Sequence, residues 1–146
     1  MNLRIRGSDQ WGSGKYYASR GGRHHNGLDI VVKPGQQIRP LTGGKVSKIG
    51  FPYDPQDDSK GYLRYIQIMD SNGFELRYFY LAPSVTVTQY VTINSVIGFA
   101  EDLTKIYPGI TNHYHFEVLT FLNDQKVFIN PVHYLRAVGH EFDGST

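Results

Sequence analysis

The run Asn112-His113-Tyr114-His115-Phe116-Glu117-Val118 sets two histidines one residue apart among aromatic and β-branched residues. Such residues favour strands, where successive side chains alternate between faces. The run is therefore predicted as a strand that shows His113, His115 and Glu117 on one face and buries Tyr114, Phe116 and Val118 on the other. Two imidazoles on one rigid surface can begin a metal site. Without distant partners, however, a His-x-His pair is no more than two half-exposed strand histidines.

The remaining chain suits a β-rich domain built around that strand. At 146 residues it can bury one core without staples. Eleven tyrosines and sixteen glycines point to strands joined by turns. The net charge of +2 is too small to imply nucleic acid, though it would suit an anionic polymer such as a bacterial wall. With no cysteine there is no disulfide framework, thiol nucleophile or thiolate zinc cluster, so any metal must be held by His and carboxylate. Met1-Asn2-Leu3-Arg4-Ile5-Arg6 lacks an apolar signal core, and no run of about 18 apolar residues could span a bilayer. Export would need another route, or a segment absent from this sequence.

Working outward, residues 8–24 mix Gly and Ser with Trp11, Tyr16 and Tyr17 and read as an ordered, aromatic-clamped loop. It leads into His25-Asn26-Gly27-Leu28-Asp29-Ile30-Val31-Val32, where a turn at Gly27 entering a strand can fold His25 back towards Asp29. Strands are predicted around Ile38, at Lys45–Ile49, at Val85–Val87, over Val96–Ala100 and at Lys126–Ile129. Tyr62–Met69 and Phe74–Leu81 flank Asp70-Ser71-Asn72-Gly73 and read as a hairpin. Phe51–Gly61 is predicted to be a surface loop with solvated carboxylates. Residues 101–106 are predicted to form a helical turn, Asn130-Pro131 to start a short helix, and residues 139–146 to fray. No repeat or low-complexity segment is present.

Taken singly, His25 reads as a loop residue and Asp29 as a cap. Taken with His115, they offer two imidazole nitrogens and a carboxylate oxygen, a set that catalytic zinc uses while leaving one position open. His113 would stand beside that position, where it could take a proton from an attacking water.

HNGLD at 25–29 followed by HYHFE at 113–117, with GGKV and VIGFA between, resembles the lysostaphin and LytM family of zinc endopeptidases that cut peptidoglycan. The resemblance covers roughly residues 11–135, and RYFYLAP and IYPGITNHYH resemble its leukocyte cell-derived chemotaxin-like branch. It implies zinc ligands at His25, Asp29 and His115, with His113 as general base. His24 does not fit the His-x-x-x-Asp spacing, and His133 and His140 match no site position. Members of the family usually carry a second catalytic histidine in a Tyr-x-His-Leu pattern, where this chain has Tyr78-Phe79-Tyr80-Leu81. Alternation sets Tyr80 on one face with Leu76 and Tyr78, and that face is predicted to be the metal-bearing one, from which Tyr80 could still donate a hydrogen bond to an oxyanion.

The expected protein is mainly β: one domain over 1–146, an antiparallel sheet with a LytM-like groove and a few short helical turns. Its expected function is that of a Zn²⁺ metalloendopeptidase acting on peptidoglycan stem peptides or cross-bridges, slowed by Tyr80, and working on the cell wall in the periplasm or outside the cell. The alternatives are a zinc-containing module that binds glycopeptide, wall or a protein partner without cutting, and an assembly component of a phage or secretion machine.

Overall fold

The computed structural model describes residues 2–143. Twelve strands carry the fold: β1 (Asn2–Arg4), β2 (Leu28–Val31), β3 (Gln37–Ile38), β4 (Gly44–Gly50), β5 (Tyr65–Met69), β6 (Glu75–Phe79), β7 (Leu81–Pro83), β8 (Tyr90–Val91), β9 (Gly98–Ala100), β10 (His113–Leu122), β11 (Gln125–Ile129) and β12 (Glu141–Asp143). A 3₁₀ turn at Leu103–Lys105 and helix α1 (Pro131–Ala137) complete the described residues. No helix among them is long and apolar enough to cross a membrane.

Strand β10 organises the main sheet because it is long enough to serve three neighbours. Along one edge it pairs with β6. Along the other, His113–Phe116 pair with β2 and Val118–Leu122 pair with β11. All three pairings are antiparallel, and the sheet continues from β6 through β5 and β4 to β8. A small sheet of β3, β9 and β7 lies beside it, and β1 pairs in parallel with β12.

Period-two alternation then sorts the residues. Tyr114, Phe116 and Val118 of β10, Leu76 and Tyr78 of β6, Ile66 and Ile68 of β5, and Leu28 and Ile30 of β2 all enter one core. The opposite face carries His115, Glu117, Arg77 and Gln67, and this is the face that holds the site. Helix α1 starts as its sequence predicts: the Asn130 side chain accepts from the Val132 N–H, Pro131 opens the first turn, and Val132, Tyr134 and Leu135 are buried. The Tyr134 hydroxyl donates to Asp70 at 2.6 Å, tying α1 to the β5–β6 turn.

Two expectations need correction. Val85–Val87 is a turn, although Val85 is buried. The Gln89 side chain accepts the Thr86 N–H, Thr88 has φ +81°, and these local bonds replace a strand ladder. The tail is not frayed over 141–143, because Asn2–Arg4 gives it a parallel partner and Leu3 joins the main core; residues 144–146 lie outside the described residues.

Phe116 is fully buried where β2, β6 and β10 meet. Phe116→Ala is expected to destabilise the fold by about 3–5 kcal/mol, measured by urea unfolding.

Candidate metal centre

The site is a consequence of register. Asp29 of β2 is the cross-strand partner of His115 of β10, so the two side chains emerge on the same face. Gly27 lets the preceding turn lie against β10, since a Cβ there would stand 2.7 Å from His115 Cε1 and would also collide with the Phe116 carbonyl. His25 is thereby folded back onto the carboxylate.

Three acceptor atoms converge. His25 Nε2 lies 3.0 Å from His115 Nδ1, His115 Nδ1 lies 3.0 Å from Asp29 Oδ1, and His25 Nε2 lies 3.1 Å from that same oxygen. Each ring is oriented by its other nitrogen: His25 Nδ1–H donates to the Lys15 carbonyl at 2.8 Å, and His115 Nε2–H donates to Glu117 Oε2 at 2.8 Å. Because those partners can only accept, the converging nitrogens carry lone pairs whenever the rings are neutral. Two lone pairs and a carboxylate oxygen at such distances repel one another unless a proton or a cation lies among them. A tetrahedral cation with bonds of about 2.0–2.1 Å would set its donors roughly 3.3 Å apart, so the triangle fits zinc after a small expansion.

Electrostatics agree with that geometry. Burial alone would raise the Asp29 pKa, but contacts with His115 and His25 and the charge of His113 hold it well below the usual carboxylate range. Burial opposes charge on His115 as well, yet its bonds to Asp29 and Glu117 outweigh that and push it up to about 9. The cluster thus attracts positive charge at its centre.

His113 stands beside the triangle. Its Nδ1–H donates to the Thr111 carbonyl at 2.8 Å, leaving Nε2 as the free acceptor 3.5 Å from Asp29 Oδ2. Burial lowers its pKa, only partly offset by Asp29, so the ring is neutral near pH 7.

Tyr80 lines the same cleft, by a route the alternation did not foresee. The face expected to carry it, shared with Leu76 and Tyr78, enters the core, whereas Phe79 packs edge-on against His115 with centroids 5.0 Å apart. Tyr80 escapes the core because β6 ends before it and its φ is +76°, a conformation costing an aromatic residue about 1–3 kcal/mol. Its ring centroid lies 6.1 Å from that of His113. Burial first, then the neighbouring Tyr53, raises its pKa well above 10, so the phenol keeps its proton.

The cleft has a cavity volume of about 320 Å³. Trp11, Tyr53, Tyr107, Arg20 and Arg23 also line it, and the Tyr53 hydroxyl lies 3.4 Å from that of Tyr80 and 3.3 Å from that of Tyr107. Sequence reasoning missed Tyr53 and Tyr107; a large aromatic residue inside a Pro-rich loop was the available signal. His24 stacks on Tyr17 at 3.9 Å, and His140 bonds the Leu41 carbonyl.

The folded sheet and its groove define the architecture of lysostaphin-type peptidases. A profile of peptidase family M23 matches residues 23–131, well over half of the chain, and the protein belongs to that family. Mouse (Mus musculus) leukocyte cell-derived chemotaxin-2 is 31% identical over 113 residues, covering 77% of this chain and 72% of that protein. Lysostaphin from Staphylococcus simulans superposes with a TM-score of 0.65 at 23% identity, covering 92% of this chain and 52% of the other. The present chain therefore spans about half of that structure. The lysostaphin catalytic domain alone gives 0.61 at 23% identity, with 86% of this chain and 89% of that domain covered.

Gly27→Ala should force the turn away from β10 and separate His25 from His115. Zinc affinity is expected to fall roughly ten- to a hundredfold in a competition titration against a chromophoric chelator. An unchanged affinity would show that this close approach does not build the site.

Proposed function

We propose that the protein is a zinc-dependent endopeptidase that hydrolyses peptide bonds in the stems or bridges of bacterial peptidoglycan, and so works on the wall outside the cytoplasm. The observation that carries this reading is the convergence of His25, Asp29 and His115 with His113 alongside. His25 Nε2, Asp29 Oδ1 and His115 Nδ1 would hold the ion. When bound, zinc polarises a carbonyl and makes water acidic enough to react at neutral pH.

The other residues supply position and proton transfer. His113 Nε2 takes the proton of the water that attacks the substrate carbonyl and returns it to the leaving amine, while the Thr111 carbonyl keeps the ring in the required tautomer. Tyr80, a phenol that keeps its proton, donates to the developing oxyanion. Trp11, Tyr53 and Tyr107 offer flat surfaces for a peptide, with Arg20 and Arg23 available to its carboxylates.

A second reading is favoured by Tyr80 itself. A phenol that keeps its proton near neutral pH cannot serve as a second base, and the mouse relative bears the name of a chemotaxin. In that reading the zinc site stabilises a groove that binds glycopeptide, wall or a protein partner without cutting it.

Digestion of purified peptidoglycan by the zinc-loaded protein separates the two. For the enzyme, His113→Ala keeps zinc and loses hydrolysis. Tyr80→Phe lowers the rate roughly ten- to a thousandfold at unchanged zinc content, and Tyr80→His matches or exceeds the wild type. A wild type that sediments with peptidoglycan, yet releases no more fragments than the zinc-free protein, would replace the enzyme with the binding module.

A further inference from the structure

We propose that Arg6 is the positioning residue for Asp29, holding one carboxylate oxygen so that the other alone faces the cation. This rests on the reading of His25, Asp29 and His115 as a zinc site. Arg6 lies outside the residues matched by the family profile and ahead of the region that the sequence resemblance covers, yet it is only 2% exposed.

Every nitrogen of its guanidinium has a partner. Nε and Nη2 both reach Asp29 Oδ2 at 3.0 Å, while Nη1 donates to Asp9 Oδ1 and to the Gly12 carbonyl, each at 2.9 Å. The Asp29 carboxylate is thus divided: Oδ2 takes both bonds of the arginine fork, with His113 Nε2 at 3.5 Å and Arg20 Nη2 at 3.9 Å on the same side, and Oδ1 faces His25 and His115. A planar fork clamped at its far end resists rotation of that carboxylate, which a flexible point charge does not.

The main chain reinforces the clamp. The Arg6 N–H donates to the Asp29 carbonyl at 2.8 Å, the Gly14 N–H donates to the Arg6 carbonyl at 3.0 Å, and the Asp29 N–H donates to the Gly14 carbonyl at 2.8 Å. The three backbones meet so closely that a Cβ on Gly14 would lie 2.7 Å from the Arg6 carbonyl oxygen and 2.9 Å from Asp29 Cβ. The same segment reaches His113, because Asp9 Oδ2 accepts the N–H of Thr111, whose carbonyl orients that ring. One strap of chain therefore orients both a metal-site carboxylate and the adjacent imidazole.

The test uses Arg6→Lys, which keeps the charge and loses the fork, beside Arg6→Gln, which loses both. Metal-free circular dichroism checks each fold, and Co²⁺ reports coordination through its visible absorption. With the fork gone, the Asp29 carboxylate is no longer held in its single-oxygen orientation and must be fixed when the ion binds, so both variants are expected to bind Zn²⁺ roughly ten- to a hundredfold more weakly, with the turned carboxylate able to offer its second oxygen. Their Co²⁺ bands should also be weaker than those of the wild type, as they are when coordination number rises. Arg6→Lys with wild-type affinity and spectrum would overturn the proposal by showing that charge alone suffices. A wild type that binds neither metal would overturn the underlying zinc site instead. Should both variants fail to fold, the Arg6 Nε–H nitrogen resonance of the wild type decides: a slowly exchanging signal that moves on Zn²⁺ addition upholds the proposal, and one that exchanges freely or ignores the metal ends it.

Discussion

The pairing of β2 with β10 in the register that sets Asp29 opposite His115 is the constraint on which the rest depends. A slip of β2 by one residue would turn its side chains over, sending Asp29 into the core and Leu28 out to the cleft, while β10 stays held by β6 and β11. Burial of Leu28, Ile30, Tyr114 and Phe116 makes such a slip costly, so the hydrophobic face of the sheet fixes the polar one. The same residues that stabilise the domain thereby align the candidate site.

Electrostatics impose the second constraint. A buried carboxylate and two inward-facing imidazole nitrogens form a cluster that is satisfied only by positive charge at its centre and by donors around its rim. The rim is fully supplied: Lys15, Glu117 and Thr111 orient the three rings, and Arg6 takes the outer oxygen of Asp29. Glu117 is itself held 3.6 Å from Arg77, whose Nε donates to Gln67 at 2.9 Å, so the polar row extends across three strands. Against this ordered floor, Tyr80 is the strained element, with a left-handed backbone that aims its phenol into the cleft.

Much of this was legible in the sequence. Alternation along 113–118, the hairpin around Asp70–Gly73 and the Asn130-Pro131 helix start are local signals, and local geometry decided them. The grouping of His25 with Asp29 and His115 followed from a turn at Gly27 and from the known appetite of such sets for metal. What escaped had no local signature. Arg6 reaches Asp29 across 23 residues, and nothing around it distinguishes it from a solvated arginine. Val85–Val87 has the composition of a strand but lacks a ladder partner, while Glu141–Asp143 has little strand character and gains a partner from Asn2–Arg4. Tyr80 reaches the cleft from a position that alternation assigns to the core face, because strict alternation does not survive a positive φ.

One cation held jointly by His25, Asp29 and His115 would satisfy the cluster as a whole. Zinc K-edge absorption spectroscopy on the stoichiometrically loaded wild-type protein measures this most directly. One ion per chain is expected, with two imidazole nitrogens and oxygen donors at about 2.0–2.1 Å. A first shell containing fewer than two imidazoles, or zinc that does not remain at stoichiometric occupancy, would contradict it.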